Sequence, residues 1–264
     1  LSQSTKELQR QEDARRQWEE ECKKNGQAAD RAIINPFADP QHRITIAPEL
    51  AVRLKDHQVE GVRFMWLRLM DGRTSKTSRG GLGSLCALQD GDKGTGCILA
   101  HNMGLGKTFQ VVTLLHTIAA NIPYDNNELR RMLVLGPVNT MHNWKAELHR
   151  FLPRTGPTAG LLHVSVLDEA GKTNEQRCAV LEDWFKHGGV MCLGYEMYRN
   201  LVQGHRIKDK KIKEKFVRYL KDPGPGIVIA DEGHMLRNHK SNISIALSSI
   251  STRRRCVLTG SPLQ

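Results

Sequence analysis

Apolar and polar positions along this chain follow two rhythms, and the switching between them predicts its elements. Short apolar runs occur at 96–100, 131–136, 161–167, 189–193, 226–230 and 254–258. All but the last precede segments whose apolar residues recur at three- and four-residue steps: 106–120, 138–151, 174–187, 195–202 with 207–221, and 240–250. The first rhythm fits buried strands, the second helices with one apolar face. An earlier helical stretch, His57–Leu69, places Val59, Val62, Phe64, Met65, Trp66 and Leu69 at the same spacing. Strands alternating with helices predict an α/β fold, a mostly parallel sheet covered on both faces. Ligands of such sheets bind at the carboxyl ends of the strands.

The pattern also divides the chain. Residues 1–48 read as a polar helix and linker, and residues 49–264 as one lobe. The first 30 residues favour helix but are polar on every side, so they have no stripe to bury. Ile33 to Pro48, with Pro36, Pro40 and Pro48, reads as an extended linker. Residues 71–95 are rich in Gly, Ser, Thr and Lys and read as a surface insertion. Aromatic residues make up 5% of the chain, so the core is expected to be aliphatic. No apolar run approaches the roughly 18 residues of a membrane span, and no charged-then-apolar leader precedes a cleavage site, so export is not expected. The six cysteines are widely spaced without a C-x-x-C pair, which fits reduced intracellular thiols better than zinc or a disulfide framework.

Charge adds a local feature. Of a net charge of +11, residues 199–221 hold nine Lys or Arg against Asp209 and Glu214. Such a surplus attracts polyanions, although a solvated helix face would look the same.

Two short segments carry chemistry. Met103-Gly104-Leu105-Gly106-Lys107-Thr108 lies between the strand ending at Ala100 and the next helix. Its glycines let backbone N–H groups converge on phosphates at a helix N-terminus. Lys107 supplies a charge to those phosphates and the Thr108 hydroxyl a ligand for Mg²⁺. The full phosphate-loop pattern wants glycine where this chain has His101, so the turn there must be reached differently. The second segment is Asp231-Glu232-Gly233-His234, directly after the apolar strand 227–230. Beside a phosphate loop, Asp231 would hold the Mg²⁺ and Glu232 would orient and deprotonate the attacking water. Taken alone, the pair could simply cap the following turn.

The order of these elements resembles the Swi2/Snf2 ATPases. Leu54-Lys55-Asp56-His57-Gln58 through Val62 is similar to their Q-motif, and 97–102 with the Gly-Lys-Thr loop to motif I. Leu135-Gly136-Pro137-Val138-Asn139-Thr140 with Asn143-Trp144 resembles motif Ia, 231–234 motif II, and Leu258 to Gln264 motif III, with Ser261 where threonine is commoner. Within that class the ATRX group is resembled through His101, through 194–201 and through Asp222-Pro223-Gly224-Pro225.

The resemblance implies a RecA-like P-loop lobe of a nuclear, DNA-dependent ATP hydrolase that tracks along double-stranded DNA and remodels chromatin. ATP and Mg²⁺ are the implied cofactors, and duplex DNA, histones and a second RecA-like lobe the implied partners. Gln58 would read adenine, and His101, Asn102, Met103, Gly104, Leu105, Gly106, Lys107 and Thr108 would surround the phosphates. Asn139, Thr140 and Asn143 would contact DNA phosphates, with Lys145 beside them, although Asn139 could instead cap its helix. His234 and Thr259 would couple the acidic site to motif III, although His234 could be a packed polar residue. The chain stops within motif III, so by itself it is expected to bind ATP and DNA weakly with little turnover. A GTPase would carry N-K-x-D, which is absent from the chain. A catalytically silent DNA-binding scaffold on the same fold is the alternative from another class.

Overall fold

A computed structural model describes residues 32–35, 43–70, 95–102, 104–123, 126–167, 171–204 and 207–260. The polar segment 1–31, the insertion over 71–94, Met103 and Ser261 to Gln264 lie outside the described residues.

The elements run α1 (Pro48–Ala51), α2 (Asp56–Met70), β1 (Cys97–Ala100), α3 (Lys107–Asn121), α4 (Asn127–Arg130), β2 (Arg131–Gly136), α5 (Val138–Phe151) and β3 (Val164–Val166). They continue with α6 (Asn174–His187), β4 (Gly189–Gly194), α7 (Tyr195–Gln203), α8 (Lys210–Leu220), β5 (Ile227–Ala230), a 3₁₀ turn (Gly233–Leu236), α9 (Asn242–Ser248) and β6 (Arg255–Thr259). The six strands form one sheet in the order β1-β6-β5-β2-β4-β3, every pair parallel. The fold is that of a RecA-like lobe.

Strand side chains alternate between two cores. Met132, Val134, Val190, Cys192, Ile227 and Ile229 face α2, α3 and α5, while Leu133, Leu135, Met191, Leu193, Val228 and Ala230 face α6 to α9. A strand buried on both faces reads as an unbroken apolar run, which is why these strands stand out in the sequence. Helix starts follow local chemistry. Thr173 closes a reciprocal capping box with Gln176 at the head of α6. Asp209 accepts from the amides of Lys211 and Ile212 and so starts α8 at 210, three residues later than periodicity places it. The shorter α1, α4 and 3₁₀ turn are too brief to leave a periodic trace.

One expectation is corrected. The described part of the stretch from Ile33 to Pro48 does not behave as a linker. Ile33 bridges Thr45 antiparallel, and Ile34, Ile44 and Ile46 are buried in the same core as α2. Arg63 Nε donates to Ile33 O at 3.0 Å, tying the segment to that helix. Proline spacing signals extended backbone, but the intervening isoleucines decide where it packs.

Candidate functional site

Because all strands run parallel, every carboxyl end faces one edge, and the chemistry collects there. The loop after β1 and the acidic pair after β5 flank β6, so about 10 Å separates the two strand tips at the usual spacing. Thr259 ends the intervening β6 and is buried.

The loop is held from inside. Gly104 and Gly106 adopt left-handed conformations (φ 83° and 75°), and Gly106 directly heads α3. A Cβ on Gly106 would lie 2.3 Å from Gln58 Nε2, so a side chain at this position would displace that amide. A Cβ on Gly104 would meet nothing within 4 Å, leaving room above the loop. Lys107 Nζ donates to His101 O at 2.7 Å and Asn102 O at 3.3 Å, which keeps the ammonium at the loop. Thr108 is half-buried beside it, and Asn102 and Leu105 are exposed. Gln58 Nε2 donates to Leu105 O at 3.2 Å while its Oε1 accepts from Lys55 N at 2.9 Å. A second N–H and a second lone pair remain on that amide.

Gln110, which the sequence reading passed over, supports the loop from α3. It is fully buried, and its Nε2 lies 3.3 Å from both Leu105 O and His101 Nδ1. The latter contact ties His101 to α3. Burial lowers the His101 pKa, and the neighbouring His57 and Lys107 charges push it the same way, so the ring is neutral near pH 7.

The acidic site is held from neighbouring elements. Asp231 Oδ2 accepts from Trp144 Nε1 at 2.8 Å, and Oδ1 accepts from Glu232 N at 2.9 Å. Tyr195 OH donates to Asp231 O at 2.6 Å. Burial raises the Tyr195 pKa, and Asp231 and Glu232 raise it further, so the phenol stays a donor. Glu232 is the single non-glycine residue with positive φ (51°) among the described residues, a conformation kept where the surroundings enforce it. Its Oε2 lies 3.2 Å from His234 Nδ1. The turn rests on β6: a Cβ on Gly233 would come within 2.2 Å of Val257 Cγ1 and 3.2 Å of Leu258 O. His234 is exposed and faces Glu232, so the reading of it as a packed polar residue does not hold.

The remaining candidates are spread more widely. Asn139 and Asn143 are exposed on one side of α5, and half-buried Thr140 donates its hydroxyl to Pro137 O at 2.8 Å. Pro137 occupies the cap position of α5, so Asn139 is not its N-cap. The basic stretch forms α8, which packs in the core opposite that of α5. Lys208, Lys210, Lys211, Lys213 and Arg218 are exposed there. Lys215 pairs with Glu182 at 3.0 Å. Hydrogen bonds from Lys186 and Lys215 hold Glu182 down to about 2. This surface and the Asn139–Asn143 surface are therefore not brought together.

A parallel α/β sheet with a Gly-Lys-Thr loop one strand away from an acidic pair defines the class, a RecA-like ATPase lobe. The family follows from comparison: the SNF2-related domain model matches residues 57–264, and the chain belongs to that family. It is 42% identical over 221 residues to the transcriptional regulator ATRX of Mus musculus, covering 84% of this chain and 8% of that protein. It is 35% identical over 240 residues to Protein CHROMATIN REMODELING 20 of Arabidopsis thaliana, covering 90% of this chain and 15% of that one. The chain thus spans a small fraction of these relatives. In fold it resembles the Sulfolobus solfataricus SWI2/SNF2 ATPase core in complex with dsDNA, with a TM-score of 0.50 and 22% identity over 79% of this chain and 32% of that one.

Proposed function

We propose that this chain is the ATP-binding lobe of a nuclear, DNA-dependent ATPase that translocates on duplex DNA and remodels chromatin. The observation carrying this reading is that the Lys107–Thr108 loop and the Asp231–Glu232 pair occupy the same sheet edge, one strand apart. The donors fit the group they would hold. Two left-handed glycines, space above Gly104 and a cationic Lys107 suit a triphosphate, and a hydroxyl with a carboxylate suits the oxygen-seeking Mg²⁺. When bound, Mg²⁺ would neutralise charge on the phosphate oxygens.

In this reading Gln58 reads adenine with its remaining N–H and lone pair, and His101 to Thr108 wrap the phosphates. Thr108 and Asp231 hold the metal, and Glu232 takes the proton of the attacking water. His234 and Thr259 relay the state of the acidic turn to β6. Asn139, Thr140 and Asn143 donate to DNA phosphates, so binding is tolerant of sequence and weakens with salt. Taken by itself, this lobe is expected to bind ATP and DNA weakly with little turnover.

The test is equilibrium titration of the chain with Mg·ATP, and separately with duplex DNA at two salt concentrations. Lys107→Ala should lower ATP affinity by about 10- to 100-fold, the worth of a charge-assisted hydrogen bond, and leave DNA affinity intact. Equal ATP affinity in the variant and the wild type would refute the assignment.

A further inference from the structure

We propose that Trp144 is a positioning residue that couples phosphate contacts on α5 to the carboxylate of Asp231. The inference rests on the reading above, in which Asn139 and Asn143 meet DNA and Asp231 meets Mg²⁺.

The two faces of α5 do different work. Asn139 and Asn143 are exposed four residues apart, whereas Met141, Trp144 and Leu148 form the buried stripe. Only 3% of Trp144 is exposed, and its single polar atom donates to Asp231 Oδ2 at 2.8 Å. A buried indole N–H needs an acceptor. Here that acceptor lies 87 positions away in the sequence, on the group assigned to the metal. Oδ1 is already engaged by the Glu232 amide, so the two bonds together fix the plane of the carboxylate.

The contact is short and stiff at both ends. Asp231 N donates to Leu135 O at 2.7 Å, one residue before the turn that launches α5. A Cβ on Gly136, in that turn, would lie 3.3 Å from Asp231 Cβ, so turn and acid are in direct contact. A helix moves largely as a rigid rod, and a hydrogen bond of this length is lost once it stretches by about 0.7 Å. A displacement of α5 below about 1 Å therefore frees or re-aims Asp231. DNA seated on Asn139 and Asn143 sets the position of α5 and, through the indole, the carboxylate. Coupling of this kind is reciprocal, so metal and nucleotide at Asp231 must change DNA affinity by the same factor.

The experiment measures duplex DNA affinity of the chain with and without a non-hydrolysable ATP analogue and Mg²⁺, and analogue affinity with and without DNA. The wild type should show a mutual change of about five-fold or more, equal in both directions. Trp144→Phe keeps the aromatic ring and removes the N–H. It should reduce the mutual change to below about two-fold. A second measurement needs no variant at that position. Among the four tryptophan indole N–H resonances of the wild type, that of Trp144, assigned by substituting the other three, should shift when DNA is added.

If the wild type binds neither ligand, the ATPase reading itself is wrong. If it binds both and Trp144→Phe retains the full mutual change, or the Trp144 resonance ignores DNA, the coupling is wrong and the ATPase reading stands.

Discussion

Gly61→Ala separates what the sequence and the structure each say about the nucleotide loop. Gly61 is buried within α2, where alanine normally stabilises a helix by about 1 kcal/mol. In this fold the new Cβ would stand 1.9 Å from Gln110 Oε1 and 3.0 Å from its Cδ. Gln110 is fully buried, so its carboxamide can yield only by abandoning Leu105 O and His101 Nδ1, each 3.3 Å away. Two bonds of about 1 kcal/mol each outweigh the propensity gain and leave the variant about 1 kcal/mol less stable. For a chain of this size that is a melting shift of about 2–4 °C.

The loop would lose one of its two amide clamps, and ATP affinity should fall by about three- to ten-fold, the equivalent of one such bond. Thermal melts combined with ATP titration measure both effects. In a Gln110→Ala background there is no carboxamide to evict, and Gly61→Ala should recover its gain of about 1 kcal/mol. A Gly61→Ala protein that is more stable than wild type and binds ATP equally well would refute the placement of Gln110 behind the loop.

Two further outcomes follow from the site. Glu232→Gln should lower ATP turnover by about 10²–10⁴-fold, the range for loss of a general base, while Mg·ATP still binds in titration. Unchanged turnover would remove Glu232 from the mechanism. Stability should also fall on acidification. Burial lowers the pKa of His101 and of His116, so below about pH 6.5 the unfolded chain takes up protons that the fold resists. The stabilisation is complete above that pH and is lost as pH drops through the lowered values. Urea midpoints measured from pH 7.5 to 5.5 should decline, less steeply in His116→Gln. A flat profile would contradict the burial of both rings.

The sequence by itself determined the order of the strands and of the longer helices and the place of the Gly-Lys-Thr and Asp-Glu segments, because each is written in neighbouring residues. Buried parallel strands appear as apolar runs such as 131–136, α5 and α6 announce themselves by period, and Gly-Lys-Thr and Asp-Glu are contiguous chemistry. Only the tertiary structure decided that β6 stands between the two segments, that Ile34, Ile44 and Ile46 join the core, and that Glu232 is held left-handed. The same holds for Gln110 under the loop and for Trp144 and Tyr195 on Asp231. A buried amide, indole or phenol reads locally as one more helix position. Its partner is chosen by strand order and helix packing across tens of residues, and no local period records that choice.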